Sequence, residues 1–144
     1  MSLIRNDRAT FDYEILETFE AGLSLLGTEV KSLRAKQGSL KGARVVARAG
    51  EAFLVGATIP AWQIANTSKD FDAVRTRRLL LKQKEIAAIA SAEGVQGLTA
   101  IPLSIYPKGR TLKLSVGIAR GKKKADKREA IKKRDDQRRS ARGE

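Results

Sequence analysis

The side chains in this sequence that could do chemistry are mostly cationic. The 144 residues include 29 Lys or Arg and 16 Asp or Glu, but no His and no Cys. Without imidazole or thiolate groups, we expect no zinc finger, no disulfide and no Cys–His nucleophile. The net charge of +13 instead favours a polyanionic partner, because neutralised phosphates release their condensed counterions. The candidate partners are RNA, DNA and anionic lipid, and we expect no catalytic residue, no metal and no cofactor.

The densest basic segment is the basic tail, residues 121–144. It holds eleven basic residues, five acidic residues and one large apolar side chain, Ile131. Ordering each residue costs about 1 to 2 kcal/mol, which one buried Ile cannot offset, so we expect the free tail to be disordered. At helical spacing one stripe would be cationic and would suit a phosphate groove. Its members are Lys123, Lys127, Ile131, Arg134, Arg138 and Arg142. The alternative is a solvated tail that only aids solubility.

A second basic cluster lies at or just before a predicted helix. Its members are Arg75, Arg77, Arg78 and Lys82. Such a cluster alone is more often a solvated face. However, residues 1–120 carry 18 basic and 11 acidic residues, and we therefore interpret the cluster as phosphate contacts.

Aromatic and acidic side chains give weaker indications. Tyr13, Trp62 and Tyr106 could stack on nucleobases if they are exposed, and the sequence does not choose among them. Glu20 and Glu29 could form a carboxylate pair, but nothing in the sequence brings them together. We expect Glu20 to accept a hydrogen bond at a strand end and Glu29 to be a surface charge on a helix.

Alternating apolar residues predict strands that must position these groups. A strand is expected from Phe11, and Gly22 and Gly27 bound a second short strand. Residues 43–59 and 98–121 are typical of two hairpins, and in the second Ile101, Leu103 and Ile105 are expected to share one face.

Helices are predicted in two segments. One follows Gly27, with Thr28 as N-cap. The other lies within residues 75–94, where a short extended entry is followed by an amphipathic helix that ends near Gly94. A polar loop is expected from Gln63 to Val74. Because no apolar run approaches the roughly 18 to 20 residues that span a bilayer, and no leader opens the chain, we expect a soluble cytoplasmic protein.

This pattern predicts a mainly β fold. About six short strands with hairpin connections favour an OB-like antiparallel six-stranded β-barrel with two or three short helices, since closure removes exposed edges. A small β-sandwich is the runner-up. We expect one barrel domain over residues 1–120, followed by the basic tail, disordered when free and helical when bound.

Four blocks of sequence occur in a suggestive order. They are NDRATFDY at 6–13, ETFEAGLSLLGTEVKSLRAKQGSL at 17–40, RTRRLLLKQKEI at 75–86 and GKKKADKR at 121–128. Together they resemble the small protein B, or SsrA-binding protein, family, whose members are partners of transfer-messenger RNA. Two positions depart from the family pattern: Asp7 replaces a usually basic residue, and Ala125 replaces a residue that is often His or Tyr.

The resemblance implies an RNA-binding adaptor of trans-translation that is not an enzyme. Its OB-type barrel would bind the tRNA-like domain of transfer-messenger RNA and deliver it to stalled ribosomes. The tail would enter the decoding region and mRNA channel of the small ribosomal subunit, in contact with its rRNA. We expect a monomer that binds neither DNA nor membranes.

The resemblance also suggests site residues. Asn6, Glu20 and Leu80 match family positions linked to RNA binding. With nearby basic side chains, the expected RNA-binding set is Asn6, Glu20, Lys31, Arg34, Arg75, Arg77, Arg78, Leu80 and Lys82. The expected ribosome-directed set is Gly121, Lys122, Lys123, Asp126, Lys127, Arg128, Ile131, Arg134 and Arg138.

Two other functions remain open from the residues alone. One is a constitutive ribosomal protein that binds rRNA and threads its tail through it. The other is a carboxylate-dependent nuclease, which would need divalent metal at acidic side chains.

Overall fold

The structure is a computed structural model that describes residues 2–62 and 71–121. The helices in these ranges are α1 (Ala9–Asp12), α2 (Gly27–Arg34) and α3 (Gln83–Glu93). The strands are β1 (Ile4–Arg5), β2 (Tyr13–Leu23), β3 (Arg44–Arg48), β4 (Glu51–Val55), β5 (Arg77–Leu80), β6 (Leu98–Lys108) and β7 (Thr111–Gly121). The predicted helical tail beyond Gly121 and most of the predicted polar loop lie outside the described residues.

Six of these strands form a closed antiparallel barrel. Their order around the ring is β6, β3, β4, β5, β2 and β7, and β7 pairs again with β6. The short β1 lies along β6, where Ile4 is opposite Ile105. Closure pairs each ring strand on both sides, which protects the strand edges. The predicted OB-like barrel is therefore confirmed, and the sandwich is wrong because a sandwich consists of two separate sheets.

Aliphatic side chains from the ring strands and the two longer helices fill the barrel. α2 contributes Leu33, and α3 contributes Ile86 and Ile89 at helical spacing. The ring contributes, among others, Leu54, Leu79, Ile105, Leu114 and Val116. Burying one such side chain contributes roughly 1.5 to 3 kcal/mol, so this interior is the main source of stability.

Two β-bulges change which side chains face the interior. The register shifts between Ile15 and Glu17 in β2 and between Pro102 and Ser104 in β6. Because of the second shift, Ile105 faces the main core, while Ile101 packs in a smaller cluster with Ala9 and Ala119. The expectation that Ile101, Leu103 and Ile105 share one face is wrong, because a bulge inserts one residue into the alternation.

The N-terminal half also departs from the prediction. β2 begins at Tyr13, because Phe11 lies in the single turn of α1. No separate strand lies between Gly22 and Gly27, since β2 continues to Leu23 and is followed by a short loop. The N-cap of α2 is Leu26, not Thr28. The Thr28 hydroxyl instead accepts a hydrogen bond from the Trp62 N–H at 2.7 Å and donates one to the Trp62 carbonyl at 3.2 Å.

Both predicted hairpins are present. β3 and β4 turn at Ala49 and Gly50, where φ is +52° and +76°, as in a type I′ turn. β6 and β7 pair from Leu98 opposite Arg120 to Lys108 opposite Thr111. The predicted extended entry and helix at 75–94 correspond to β5 and α3.

Candidate nucleic-acid interface

One outward row of residues crosses four neighbouring strands. The register places Leu80 of β5 opposite Gly22 of β2, Gly22 opposite Lys113 of β7, and Lys113 opposite Tyr106 of β6. Leu80, Lys113 and Tyr106 each neighbour a core residue in sequence, so they point away from the core. Adjacent strands lie about 4.8 Å apart, so the row spans about 14 Å. It presents an apolar, a cationic and an aromatic group side by side.

Gly22 allows the Leu80 side chain to lie against β2. A Cβ atom on Gly22 would be 3.1 Å from the Leu80 Cβ and 3.3 Å from its Cδ1. With no side chain at position 22, Leu80 remains 55% exposed. Leu80 therefore forms an apolar shelf on the outer surface of the barrel, which suits contact with the flat face of a base or a sugar.

A cleft of about 640 Å³ opens beside this row. Its walls include the β3–β4 turn and the start of α3. The charged residues of its lining are Glu20, Glu51, Arg78, Lys82, Glu85 and Lys113. Arg78 and Glu51 form an exposed ion pair, 2.8 Å from Nη2 to Oε1. The mixture of cations and acceptors suits polar base edges and ribose hydroxyls as well as phosphate.

Glu20 joins two groups on the same outer surface. Its Oε2 accepts a hydrogen bond from the Tyr106 hydroxyl at 2.6 Å, and its Oε1 accepts one from Lys108 Nζ at 2.9 Å. These two donors, Tyr106 first, hold the pKa of the Glu20 carboxyl below its ordinary value. Partial burial and the hydrogen bond to Glu20 raise the pKa of the Tyr106 phenol to about 12. Glu20 is thus an ionised acceptor and Tyr106 a protonated donor at neutral pH.

Glu29 is completely buried at the start of α2. Its Oε1 accepts the Leu26 N–H at 2.8 Å and an Arg75 N–H, and its Oε2 accepts Arg77 Nε at 3.0 Å and Nη2 at 2.7 Å. Burial raises the pKa of Glu29, but the donors of Arg75, Leu26 and Arg77 outweigh burial, so the pKa is lowered. The expectation of a surface charge at Glu29 is wrong, because the buried carboxylate pairs with the buried Arg77 and the part-exposed Arg75.

Arg77 is also completely buried. Besides Glu29, its guanidinium donates to the Ala57 carbonyl at 2.7 Å and the Ala73 carbonyl at 2.9 Å. Arg77 therefore cannot contact RNA while the barrel is folded, and its place in the predicted RNA-binding set is corrected. Arg75 is part-exposed and is also paired with Glu29. Arg78, which follows Arg77 in the sequence, points outward into the cleft. Because successive residues of a strand face opposite sides, Arg77 faces the interior and Arg78 faces the surface.

Other predicted RNA-binding residues lie elsewhere on the surface. Asn6 lines a separate cleft of about 480 Å³, and its Nδ2 donates to the Pro102 carbonyl at 3.0 Å. Lys31 and Arg34 are exposed on α2, and Arg34 Nη2 donates to the Arg110 carbonyl at 3.0 Å. The structure brings Glu20, Arg78, Leu80 and Lys82 together at the first cleft, but does not bring Asn6 there.

Four charged residues of this outer face were not predicted: Glu51, Glu85, Lys108 and Lys113. A signal for Lys113 was available, because Leu112 and Leu114 alternate as core residues and Lys113 must then face outward. The partnership of Lys108 with Glu20 joins residues far apart in sequence, so no local pattern reveals it.

Of the predicted tail residues, Gly121 ends β7 opposite Tyr13. The others lie outside the described residues: Lys122, Lys123, Asp126, Lys127, Arg128, Ile131, Arg134 and Arg138. Glu20 and Glu29 have different partners and do not form a carboxylate pair. In the part of the chain that the structure describes, no group of three or more His, Cys, Asp or Glu residues is placed to hold a metal. No helix in residues 2–62 and 71–121 is both long and apolar enough to cross a membrane.

A closed OB-like barrel with apolar, cationic and aromatic groups on one outer face belongs to the class of nucleic-acid-binding barrel proteins. Within that class, comparison with known families is specific. The chain belongs to the SmpB family, because the family model described as SmpB protein matches residues 3–143.

Individual relatives agree with this membership. The chain is 47% identical to the SsrA-binding protein of Mesoplasma florum, over 95% of this chain and 92% of the relative. It is 48% identical to the SsrA-binding protein of Aromatoleum aromaticum, over 99% of this chain and 96% of the relative. A chain in a solved structure described as "tmRNA-SmpB: a journey to the center of the bacterial ribosome" is 40% identical, with a TM-score of 0.71, and the match covers 89% of this chain and 93% of that chain. The resemblance carried by the four sequence blocks is confirmed.

Proposed function

We propose that this protein is an RNA-binding adaptor of trans-translation. It binds the tRNA-like domain of transfer-messenger RNA, delivers that RNA to stalled ribosomes and inserts its tail into the decoding region and mRNA channel of the small subunit. The observation that carries this proposal is the SmpB match over residues 3–143, which covers the barrel and almost all of the tail. The names of the matched relatives and of the solved structure support it.

In this proposal residues 1–120 bind structured RNA. Leu80 gives an apolar contact, while Arg78, Lys82 and Lys113 neutralise phosphates near the cleft. Lys31 and Arg34 on α2 add cationic contacts on another part of the surface. Asn6 keeps its place in the RNA-binding set at the second cleft, and its hydrogen bond to the Pro102 carbonyl also holds β1 and the following turn against β6 at the bulge.

The basic tail then acts on the ribosome. Gly121, Lys122, Lys123, Asp126, Lys127 and Arg128 lead from the end of β7 into the small subunit. Ile131, Arg134 and Arg138 lie on the cationic stripe that becomes helical when rRNA phosphates neutralise it. The protein is not an enzyme, needs no cofactor and acts as a monomer in the cytoplasm, where ribosomes and transfer-messenger RNA meet.

Filter binding at several salt concentrations tests the proposal. We expect the tRNA-like domain to stay bound in the presence of excess bulk tRNA, and log K to fall linearly with log salt. Lys82→Gln should reduce the steepness of that line by about 1, as for one lost phosphate contact. Lys84→Gln is the matched control, because Lys84 lies two residues further along and does not line the cleft. Complete competition by bulk tRNA, or equal slopes for both variants, would contradict the proposal.

A constitutive ribosomal protein is an alternative function, favoured by the charge of +13 and the basic tail. It predicts one copy on every ribosome of unstressed cells. Trans-translation instead predicts fewer than one copy of the protein per ribosome, and a number of copies that rises when ribosomes stall on truncated messages.

A further inference from the structure

We propose that Tyr106 stacks on an unpaired nucleobase of the bound RNA and that Glu20 is its positioning residue instead of a direct RNA contact. This inference rests on the proposed RNA-binding function. It deepens that function by naming the chemical group of the RNA that contacts the outward row of Leu80, Lys113 and Tyr106. It also assigns a role to Glu20 that differs from the one its family position suggests.

The hydrogen bonds of Glu20 carry the first step. Both carboxylate oxygens already accept short hydrogen bonds, one from the Tyr106 hydroxyl at 2.6 Å and one from Lys108 Nζ at 2.9 Å. An ionised carboxylate without such partners would repel RNA phosphates. Paired with Lys108, Glu20 places its charge against a cation and holds the phenol by its oxygen. The Tyr106 ring is thus fixed at both ends, by strand β6 and by Glu20.

Register explains why Glu20 reaches Tyr106. Glu20 of β2 lies opposite Ser115 of β7, and Tyr106 of β6 lies opposite Lys113 of β7. The two side chains thus approach each other diagonally across β7, above a short serine. The adjacent strand positions keep Glu20, Lys113 and Tyr106 on one outer face.

The other candidate aromatics are placed differently. Tyr13 packs against the smaller cluster of Ala9, Ile101 and Ala119. Trp62 follows the barrel strand β4 and is tied through its backbone to Thr28 of α2. Tyr106 alone among these three lies in the row that contains Leu80 and Lys113, where the structure describes both the ring and its neighbours.

The surroundings of Tyr106 define the ligand. Lys113 lies directly opposite on β7, and Lys108 lies two residues further along β6. A base stacked on the ring would have its own phosphates close to Lys113, while Lys108 offsets the charge of Glu20, so that aromatic and cationic groups stand side by side as single-stranded nucleotides require. The expected ligand is therefore an unpaired nucleotide in a loop of structured RNA, accepted with little base preference because every base has a π-face.

Phenol ionisation tests the tie between Glu20 and Tyr106 without RNA. In the full chain with Tyr13→Phe, Tyr106 is the only tyrosine, and its ionisation can be followed by ultraviolet absorbance. At pH 11, a pKa of about 12 leaves about nine-tenths of the phenol protonated, whereas an ordinary value near 10 leaves about one-tenth. Adding Glu20→Gln should move the protein from the first value towards the second, with circular dichroism confirming the fold. An unchanged protonated fraction would overturn the positioning role.

RNA affinity tests the stacking and the order of action. Against the tRNA-like domain at fixed salt, Tyr106→Ala should weaken binding by about 5- to 150-fold, as for loss of one stacked base. Tyr106→Phe, which keeps the ring, should lose less. Wild-type affinity in Tyr106→Ala would overturn the stacking assignment.

A mutant cycle then separates positioning from direct contact. Glu20→Ala should weaken binding in the wild-type chain, but by no more than about twofold in a Tyr106→Ala, Lys108→Ala chain, because both groups that Glu20 holds are already gone. Any larger loss in that background would show a direct contact and overturn the assignment. If the wild-type chain fails to bind the RNA at all, the proposed function fails instead, while the phenol titration still decides whether Glu20 holds Tyr106.

Discussion

Among residues 2–62 and 71–121, Glu29 is the residue of α2 that forms ion pairs with the barrel side. It is buried, as is Arg77, and it also pairs with the part-exposed Arg75. Replacing a whole buried ion pair by apolar groups can be neutral, but removing one partner leaves an uncompensated charge in the interior. Removing either Glu29 or Arg77 alone would therefore leave a buried charge without its partner and would destabilise the fold.

Glu29→Gln should lower the free energy of unfolding by about 3 to 5 kcal/mol, because it leaves the buried Arg77 without its counter-charge. Glu85→Gln is a matched control. Glu85 holds the same position in α3, accepting the Lys82 N–H at 3.0 Å as Glu29 accepts the Leu26 N–H at 2.8 Å. Glu85→Gln keeps a carbonyl that can accept this N–H and removes only the charge, so it should cost about 1 kcal/mol or less. Urea unfolding at pH 7 measures both, and equal losses would contradict the role of the pair.

The same pair makes stability depend on pH. The pKa of Glu29 is lowered in the folded protein, so its stabilisation is fully present above the ordinary value near 4.5 and is lost as pH falls through the lowered pKa. The difference in unfolding free energy between wild type and Glu29→Gln should thus be constant from neutral pH to about pH 5 and narrow at lower pH. Urea titrations between pH 7 and pH 3 measure it. A difference that stays constant down to pH 3 would argue against ion pairing by Glu29.

At the scale of elements, two neighbouring leucines of β5 have different roles: Leu79 stabilises the core, and Leu80 is proposed to contact RNA. Leu79 is 2% exposed and faces the core, whereas Leu80 is 55% exposed beside the cleft. Leu79→Ala should cost about 2 to 5 kcal/mol of stability, and Leu80→Ala about 0.5 kcal/mol or less.

The affinity for the tRNA-like domain should show the opposite order. Leu80→Ala should weaken binding on the order of tenfold, through loss of apolar contact. Leu79→Ala should bind normally at temperatures where it remains folded. Thermal unfolding and filter binding on the same preparations measure this, and a Leu80→Ala protein that binds as well as wild type would remove Leu80 from the interface.

Elements with regular alternation could be predicted from the sequence. The β6–β7 hairpin and α3 follow from the spacing of Leu112, Leu114, Ile86 and Ile89, because burial of one face produces that spacing. The start of β2 was predicted too early because Phe11 continues the alternation of β2 but lies in the turn of α1. The bulge after Pro102 was also missed, since an inserted residue changes the facing of side chains without a distinctive local composition.

The candidate site was only partly predictable for a related reason. Glu20 and Leu80 were found through a family resemblance, and Arg78 and Lys82 through local basicity. Arg77 has the same local surroundings as Arg78, yet its partner Glu29 lies 48 residues away. Only the fold decides which arginine is buried against that carboxylate, so the charge cluster could not be divided correctly in advance.

At the scale of the whole molecule, positive charge is divided between the barrel, which has a hydrophobic core, and the basic tail, which has one large apolar side chain. Residues 1–120 have an excess of seven basic residues and a core that fixes their side chains, while the tail has an excess of six and one large apolar residue. The barrel can therefore present a preformed surface to folded RNA. For the tail, whose residues beyond Gly121 lie outside the described part of the chain, the proposal is that surrounding phosphates supply the order that its composition cannot.

Truncation after Gly121 tests this division most directly, because it preserves the last paired residue of β7, opposite Tyr13, and removes the rest of the tail. Affinity for the tRNA-like domain and tagging of nascent chains on ribosomes stalled at truncated messages would be measured on the same truncated protein, with the intact chain as reference. We expect the affinity to remain largely intact and tagging to be abolished. Tagging at the level of the intact chain would contradict the proposed role of the tail, and loss of RNA binding would contradict the proposed role of the barrel.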